Sequence, residues 1–232
     1  MKEQLIAELE REISPERSEA WAHYFGIAPG RYGEKDILLG IKTPVNREIS
    51  HRYRDLPESE LIDMLRSPVH EFRFSALCIL AEQYAKRPER SLKIFLDNIS
   101  FVNNWDLVDG FAWKIVGQHC LEEKDESLLL NFAKSQNLWE RRIAVVSYIA
   151  FYRRGVLGCG PDIIEQLLGD DEPLIQKACG WMLREIYRCV DKHFVESFII
   201  DHYAQMSRST LRAAIERMPE SQRKDFLKGN FN

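Results

Sequence analysis

The sequence predicts an all-α protein, an α-solenoid built from helical repeats. Three observations lead to this prediction: apolar residues recur at helical spacing, small residues recur every 34 positions, and helix-breaking residues fall between the resulting units. Alternating runs of β-branched residues, which would indicate strands, are hard to find.

Helical spacing is clearest in three segments, FRFSALCILAEQYAK (72–86), WERRIAVVSYIAFYRR (139–154) and LIQKACGWMLREIYR (174–188). The recurring small residues are Ala76, Gly110, Ala144 and Ala178, and 34 positions further lies Arg212, beside Ala213. A period of this length accommodates two helices and two short loops. We expect the small residue in each second helix to let neighbouring helices approach closely.

Helix breakers separate the predicted units at Ser67-Pro68, Lys86-Arg87-Pro88, Gly158-Cys159-Gly160-Pro161, Gly169-Asp170-Asp171 and Pro173. We predict one domain over residues 1–232, with less regular N-terminal helices in 1–66 and repeats of about 34 residues in 67–232. A stretch rich in glycine and proline, Phe25 to Pro44, is expected to be a loop.

Composition narrows the class of protein. Hydrophobic residues make up 45% of the chain, which is enough for a packed core. The five cysteines show no C-x-x-C spacing, and the six histidines show no H-x-x-x-H pair, so we expect neither a disulfide framework nor a metal site. The N-terminal segment has charges where a signal peptide needs an apolar core, and no apolar run is long enough for a membrane span. We therefore expect a cytoplasmic protein, and a solenoid that binds its ligand through its concave face is most simply a monomer.

The net charge of −4 argues against nucleic-acid binding only if charge is spread evenly over the surface. Locally, residues 139–154 carry four arginines against one glutamate, a net charge of +3. Residues 176–193 carry four basic side chains against two acidic ones, a net charge of +2. Arg208 and Arg212 follow with no acid between them. This distribution predicts a basic groove on the concave side of the solenoid, suited to a phosphate backbone.

The segment NNWDLVDGF (103–111) is unusual within the repeat. Trp105 corresponds to Trp139 in the next repeat, as expected for a tryptophan that packs as a structural element of each repeat. Asp109 is different, because its equivalents are Ser75, Ile143 and Lys177, so the repeat does not require a carboxylate there. At a spacing of four residues, Trp105 and Asp109 share one face of a helix.

The same register assigns residues of later repeats to the helix face that carries Trp105 and Asp109. Arg142 lies two positions before its small residue, and Trp181 lies three positions after its own. Because equivalent faces of second helices line one surface of a solenoid, we expect Asp109, Arg142 and Trp181 to lie near one another. The alternative is that the tryptophans belong to the core and that the arginines only form salt bridges within and between repeats.

Several strings in this order resemble the AlkD-like DNA alkylation-repair family. They are Leu39-Gly40-Ile41-Lys42-Thr43-Pro44, Asn104-Trp105-Asp106-Leu107-Val108-Asp109, Leu138-Trp139-Glu140-Arg141-Arg142-Ile143-Ala144, Ile175-Gln176-Lys177-Ala178 with Gly180-Trp181, Leu183-Arg184-Glu185, and Met206-Ser207-Arg208 with Leu211-Arg212. The resemblance covers most of the chain.

The resemblance implies a fold of HEAT-like repeats and a DNA glycosylase that removes 3-methyladenine and 7-methylguanine without metal or cofactor. It implies that Asp109 is the catalytic carboxylate, that Trp105 and Trp181 contact the lesion nucleotide, and that Arg142 contacts the adjacent backbone. Tyr24 is expected to close the site. The remaining DNA contacts are expected from Arg141, Lys177, Arg184, Arg188, Arg208 and Arg212. The partner is then double-stranded DNA containing alkylated bases.

Two other functions stay open at the level of sequence. One is a non-catalytic repeat protein that binds bent or branched DNA through the same groove, with salt-dependent affinity and no release of bases. The other is a solenoid that binds a protein or peptide, which would show no affinity for DNA at low salt.

Overall fold

The computed structural model describes residues 1–231 and consists of helices joined by turns and loops. Over that range no β-strand is formed, and one isolated bridge pairs Ile37 with Val69. The predicted all-α class is therefore confirmed. None of the helices in this range is both long and apolar enough to cross a bilayer.

Tertiary contacts group the chain into two compact units, one from Met1 to Ile115 and one that begins at Val116. The division falls inside the π-helical turn Trp113–Gly117. Neither composition nor a loop marks this point in the sequence. One domain over residues 1–232 stays a prediction.

The helices of the first unit pack around α5. Their bounds are α1 (Lys2–Glu10), α2 (Pro15–Ala22), α3 (Thr43–Arg52), α4 (Glu58–Leu65), α5 (His70–Tyr84), α6 (Pro88–Asp97) and α7 (Trp105–Ala112), with a 3₁₀ turn at Ile99–Phe101. Helices α3, α4, α6 and α7 all contact α5. Because it is covered on every side, α5 is buried along most of its length, including Leu77, Ile79 and Leu80.

The helices of the second unit pack around α13. Their bounds are α8 (Gln118–Glu123), α9 (Ser127–Phe132), α10 (Leu138–Ser147), α11 (Ile149–Tyr152), α12 (Gly160–Gln166), α13 (Pro173–Cys189), α14 (Lys192–His202), α15 (Arg208–Ala214) and α16 (Glu220–Lys228). Helix α13 contacts α10, α11, α14 and α15. Within each unit the second helices of successive repeats thus lie side by side, α7 on α5 and then α10, α13 and α15 in sequence.

The recurring small residues differ in their burial. Ala76, Ala144 and Ala178 are buried, as the repeat predicts, but Gly110 is partly exposed and faces a side chain rather than a backbone. Close backbone approaches occur at Gly180, where an added Cβ would collide with the carbonyl oxygen of Thr210, and at Gly117, where it would collide with that of Ser147. Both glycines permit a backbone contact that any side chain would prevent.

The predicted breakers become helix starts. Pro88, Pro161 and Pro173 all lie in the first turn of their helices, α6, α12 and α13. Proline suits this position because the first amides of a helix have no partner inside it and because its φ is already helical. At these three places helices therefore begin at the breakers read from the sequence, while the repeat units of about 34 residues stay a prediction.

The predicted loop between Phe25 and Pro44 ends at Thr43, where α3 begins. The carboxylate of Glu71, buried on α5, accepts hydrogen bonds from the amides of Leu39, Gly40 and Ile41. Gly40 has a φ of 75°, a conformation that favours glycine. This carboxylate fixes the end of the loop against α5, and with it the path of residues 24–38 towards α7.

Candidate active site

Helix α7 begins with a side-chain cap. Asn104 has extended backbone angles, and its side-chain oxygen accepts a hydrogen bond from the amide of Trp105 at 2.9 Å. Its side-chain nitrogen donates to the carbonyl of Phe25 at 2.9 Å. One fully buried amide therefore fixes both the start of α7 and the loop that crosses it.

Trp105 and Asp109 are two of the partly exposed residues of α7, and the opposite side of this helix is buried. Leu107, Val108, Phe111 and Ala112 are all inaccessible to solvent. Trp105 and Asp109, one turn apart, remain partly accessible. A chemical group approaching this side of α7 meets an indole and a carboxylate together.

Three aromatic rings form what we call the aromatic wall: Tyr24, Phe25 and Trp105. The ring of Tyr24 meets Trp105 edge-on with centroids 5.0 Å apart, and Phe25 stacks nearly parallel to Trp105 at 5.7 Å. The indole nitrogen also donates to the Tyr24 carbonyl at 3.4 Å. Tyr24 is 65% exposed although it is aromatic. The structure thus brings Tyr24 to Trp105, as the resemblance implies, and adds Phe25, which the sequence does not single out.

A buried network of charged side chains packs against the aromatic wall at Phe25. The ring of His70 lies 5.0 Å from that of Phe25, its Nε2 is 2.9 Å from Asp106 Oδ2, and its Nδ1 is 3.8 Å from Asp36 Oδ2. Arg73 donates to the same Asp36 oxygen at 2.5 Å. Because Asp106 is committed to His70, the two carboxylates of α7 have different environments.

Burial works against the charge of His70, but the carboxylates of Asp106 and Asp36 outweigh it and raise the imidazole pKa to about 9. Burial also works against the charge of Asp36, and the nearby His70 and the hydrogen-bonded Arg73 nevertheless lower its pKa. At neutral pH the network therefore holds two cations and two carboxylates. Beside it lies a cavity of about 20 Å³, lined by Phe25, His70, Glu71 and Asp106 among others, which has room for about one water molecule.

Arg142 and Trp181 belong to the second unit. Arg142, on α10, is only 5% exposed, and one guanidinium nitrogen donates to the carbonyl of Leu174. Trp181, on α13, is partly exposed, and its indole nitrogen donates to Glu185 at 3.2 Å. Their proximity to Asp109 stays a prediction of the repeat.

The other predicted DNA contacts fall into two groups. Three are held by carboxylates of the second unit: Arg141 by Asp170 at 2.7 Å, Arg188 by Glu185 at 2.5 Å, and Arg184 by Glu216. Arg141 also donates to the carbonyls of residues 135 and 136. These three arginines therefore form salt bridges within and between repeats, which is the alternative that the sequence left open.

The second group is exposed. Lys177 and Arg212 have no hydrogen bond or ion pair with the residues described, and Arg208 donates to the carbonyl of Leu227 at 3.0 Å. These three side chains have charge available for an anionic partner.

Sequence reasoning missed the residues that support the wall. Asn104 carried a readable signal, because asparagine before an apolar helical run is a typical N-cap. Phe25, Asp36 and His70 carried none, since their partners lie more than 30 residues away in the chain. Among residues 1–231 no group of three or more His, Cys, Asp or Glu side chains is arranged to hold a metal ion.

Comparison with known proteins agrees with this architecture. A solved structure described as a predicted DNA alkylation repair enzyme from Enterococcus faecalis superimposes with a TM-score of 0.73. It is 18% identical in sequence, and the match covers 90% of this chain and 98% of that one, so it establishes a shared fold. No curated protein sequence matches significantly. The family model for DNA alkylation repair enzymes matches residues 5–218, nearly the whole chain, and the protein therefore belongs to the DNA alkylation repair enzyme family.

Proposed function

We propose that the protein is a DNA glycosylase that hydrolyses the N-glycosidic bond of cationic alkylated purines such as 3-methyladenine and 7-methylguanine. The observation that carries the proposal is the pairing on α7 of a partly exposed indole with a partly exposed carboxylate, flanked by Tyr24. Membership in a family of DNA alkylation repair enzymes supports it.

The chemistry follows from the charge of the lesion. A purine alkylated at N3 or N7 is positively charged, and the faces of Trp105 and Tyr24 attract such a cation. The bond between the sugar C1′ and the base nitrogen breaks with both electrons going to the base, which leaves neutral. No general acid is needed, because the leaving group carries its positive charge from the start.

Asp109 acts on the sugar that remains after the base has left. The sugar becomes an oxocarbenium-like cation, and a carboxylate beside it stabilises the charge that develops. The same carboxylate orients a water molecule whose oxygen bonds to C1′ while its proton passes to Asp109 or to solvent. The products are a free base and an abasic site.

The other residues have supporting roles in the proposal. Trp181 contacts the lesion nucleotide and Arg142 the adjacent backbone, as the family resemblance implies. Lys177, Arg208 and Arg212, whose charges are accessible, contact phosphates further along the strand. Arg141, Arg184 and Arg188 contribute less, because their charges are already paired.

The test is single-turnover release of 7-methylguanine and 3-methyladenine from methylated duplex DNA. For Asp109→Asn we expect the rate to fall by about 10²- to 10³-fold. Affinity for the same duplex should change less than about twofold, because the substitution removes a negative charge and no phosphate contact. The matched control is Asp97→Asn on α6, an exposed carboxylate paired with Lys93, which should release base at the wild-type rate.

Two outcomes would contradict the proposal. Equal release by wild type and Asp109→Asn would remove the chemistry from Asp109. Binding of DNA without release by any variant would instead favour a non-catalytic protein that recognises DNA structure.

A further inference from the structure

The first unit contains a cluster of cations and aromatic rings around Phe111, two residues after Asp109. The guanidinium carbon of Arg47, on α3, lies 5.0 Å from the ring centroid of Phe74 and 5.3 Å from that of Phe111. Arg47 is only partly buried and makes no hydrogen bond or ion pair with any described residue. Its five N–H donors are thus held in place by aromatic faces while none of them is used.

A second cation shares the same ring. The ammonium nitrogen of Lys114 lies 5.7 Å from the centroid of Phe111 and 5.4 Å from that of Trp113. Two positive side chains, Arg47 and Lys114, therefore lie beside the ring of Phe111. The nearby carboxylate of Glu82 is 2.9 Å from the Nδ1 of His51.

These cations line an open cavity of about 210 Å³ together with Cys78, Ala81, Glu82 and Phe111. Burial raises the pKa of the Cys78 thiol to about 12, so it adds no negative charge at neutral pH. Two cations against one carboxylate leave the lining positive. The volume is many times what one water molecule needs, and it accommodates a phosphate group with part of its sugar.

The cavity is placed next to the proposed chemistry. An Arg47 nitrogen, Nη2, lies 3.5 Å from the point where a Cβ of residue 110 would stand, and residue 110 is the glycine that follows Asp109. The equivalent position is alanine in three other repeats, at 76, 144 and 178, and the missing side chain of Gly110 leaves space for the guanidinium at this turn of α7.

We propose that Arg47, with Lys114 across the ring of Phe111, binds a backbone phosphate of the DNA strand. Arginine recognises phosphate through paired N–H donors, and a guanidinium held over aromatic rings is already oriented for that contact. The inference rests on the proposed function, because it takes DNA as the ligand. It adds a phosphate contact from the first unit that the sequence analysis did not identify.

The experiment measures affinity for an undamaged duplex over a range of salt concentrations. For Arg47→Gln we expect affinity to fall about 3- to 10-fold at low salt, and the slope of log K against log salt to decrease in magnitude by about 1. Lys114→Gln should change both quantities in the same direction. The matched control is Arg52→Gln, on the same helix, whose guanidinium is paired with Glu8 at 2.7 Å and whose loss should leave affinity and slope unchanged.

The outcomes separate this inference from the proposed function. Unchanged affinity and slope in Arg47→Gln, with normal base release by wild type, overturn the phosphate contact alone. Reduced affinity and slope in Arg47→Gln, with no release by wild type, support the contact and overturn the glycosylase. Inorganic phosphate is the second probe: if it raises the melting temperature of wild type but not of Arg47→Gln while DNA affinity is equal in both, the site serves a free anion and the DNA contact is wrong. A melting curve without ligand confirms that each variant is folded.

Discussion

Helices α7 and α10 begin alike and end in different environments. Asn104 caps α7 by accepting from Trp105 N at 2.9 Å, and Asn137 caps α10 by accepting from Trp139 N at 2.8 Å. The two tryptophans are equivalent in the repeat, but Trp139 is only 9% exposed, whereas Trp105 is partly exposed beside Tyr24.

The next turn shows the same contrast. Ile143 of α10 is fully buried, while the equivalent residue of α7 is the partly exposed Asp109. One repeat therefore uses these two positions for its core, and the other leaves them accessible. The same helical register can therefore build a core or a site, depending on which segment covers it.

The largest expected difference concerns the two tryptophans. Trp139→Ala should lower the free energy of unfolding by about 3–5 kcal/mol, because it leaves a cavity in a packed region. Trp105→Ala should cost roughly half as much, since part of the indole is already in water. Urea denaturation of both variants measures the two costs. Equal costs would mean that Trp105 is a core residue like its counterpart and would weaken its assignment to a site.

A second difference lies beneath the helices, because the aromatic wall on α7 stands on the charges around His70. The folded pKa of about 9 exceeds the ordinary value of 6.5, so the protonated imidazole stabilises the fold fully below pH 6.5. This contribution, about 3 kcal/mol at most, is lost as the pH rises through 9.

The measurement is the free energy of unfolding of wild type and His70→Gln between pH 6 and pH 9.5. Wild type should lose stability over this range, and the variant should lose clearly less. The charged groups that face His70 are Asp36, Asp106, Arg73 and Glu71, and all keep their identities in the variant. Parallel curves for the two proteins would show that His70 is not the titrating group.

The smallest expected difference concerns the two caps. Asn137→Ala removes one exposed cap and should cost about 1 kcal/mol. Asn104→Ala removes a cap and also the hydrogen bond to the Phe25 carbonyl from a buried position, so it should cost about 2 kcal/mol. Thermal unfolding compares the two. A cost for Asn104→Ala no greater than that for Asn137→Ala would mean that the bond to the loop contributes nothing to stability.

The repeat itself was readable because it is local. Helical periodicity and the prolines at 88, 161 and 173 depend on neighbours within one or two turns, and the spacing of 34 residues can be counted directly along the chain. The position of Trp105 and Asp109 on one face of α7 follows from the same rule, since residues four apart in a helix share a face.

The charges of the second unit were less predictable. Sequence reasoning counted arginines without being able to pair them, and Arg141 finds Asp170 across 29 residues. Arg184 reaches Glu216 across 32 residues. By contrast, Lys177 and Arg212 remain accessible, although nothing in their local sequence distinguishes them from the paired cations.

Local patterns in the sequence were enough to predict the helical class, the spacing of the repeat, the face that Trp105 and Asp109 share on α7, and a family resemblance carried by motifs in order. The burial of Trp139 and the pairing of the arginines depend on the tertiary structure. So do the packing of Phe25 and Tyr24 against Trp105 and the position of His70 and Asp36 beneath Phe25. The two kinds of feature differ in the sequence separation of the residues that are in contact. A helix and its faces are set by contacts a few residues apart, whereas exposure and charge pairing depend on which distant segment the fold brings into contact.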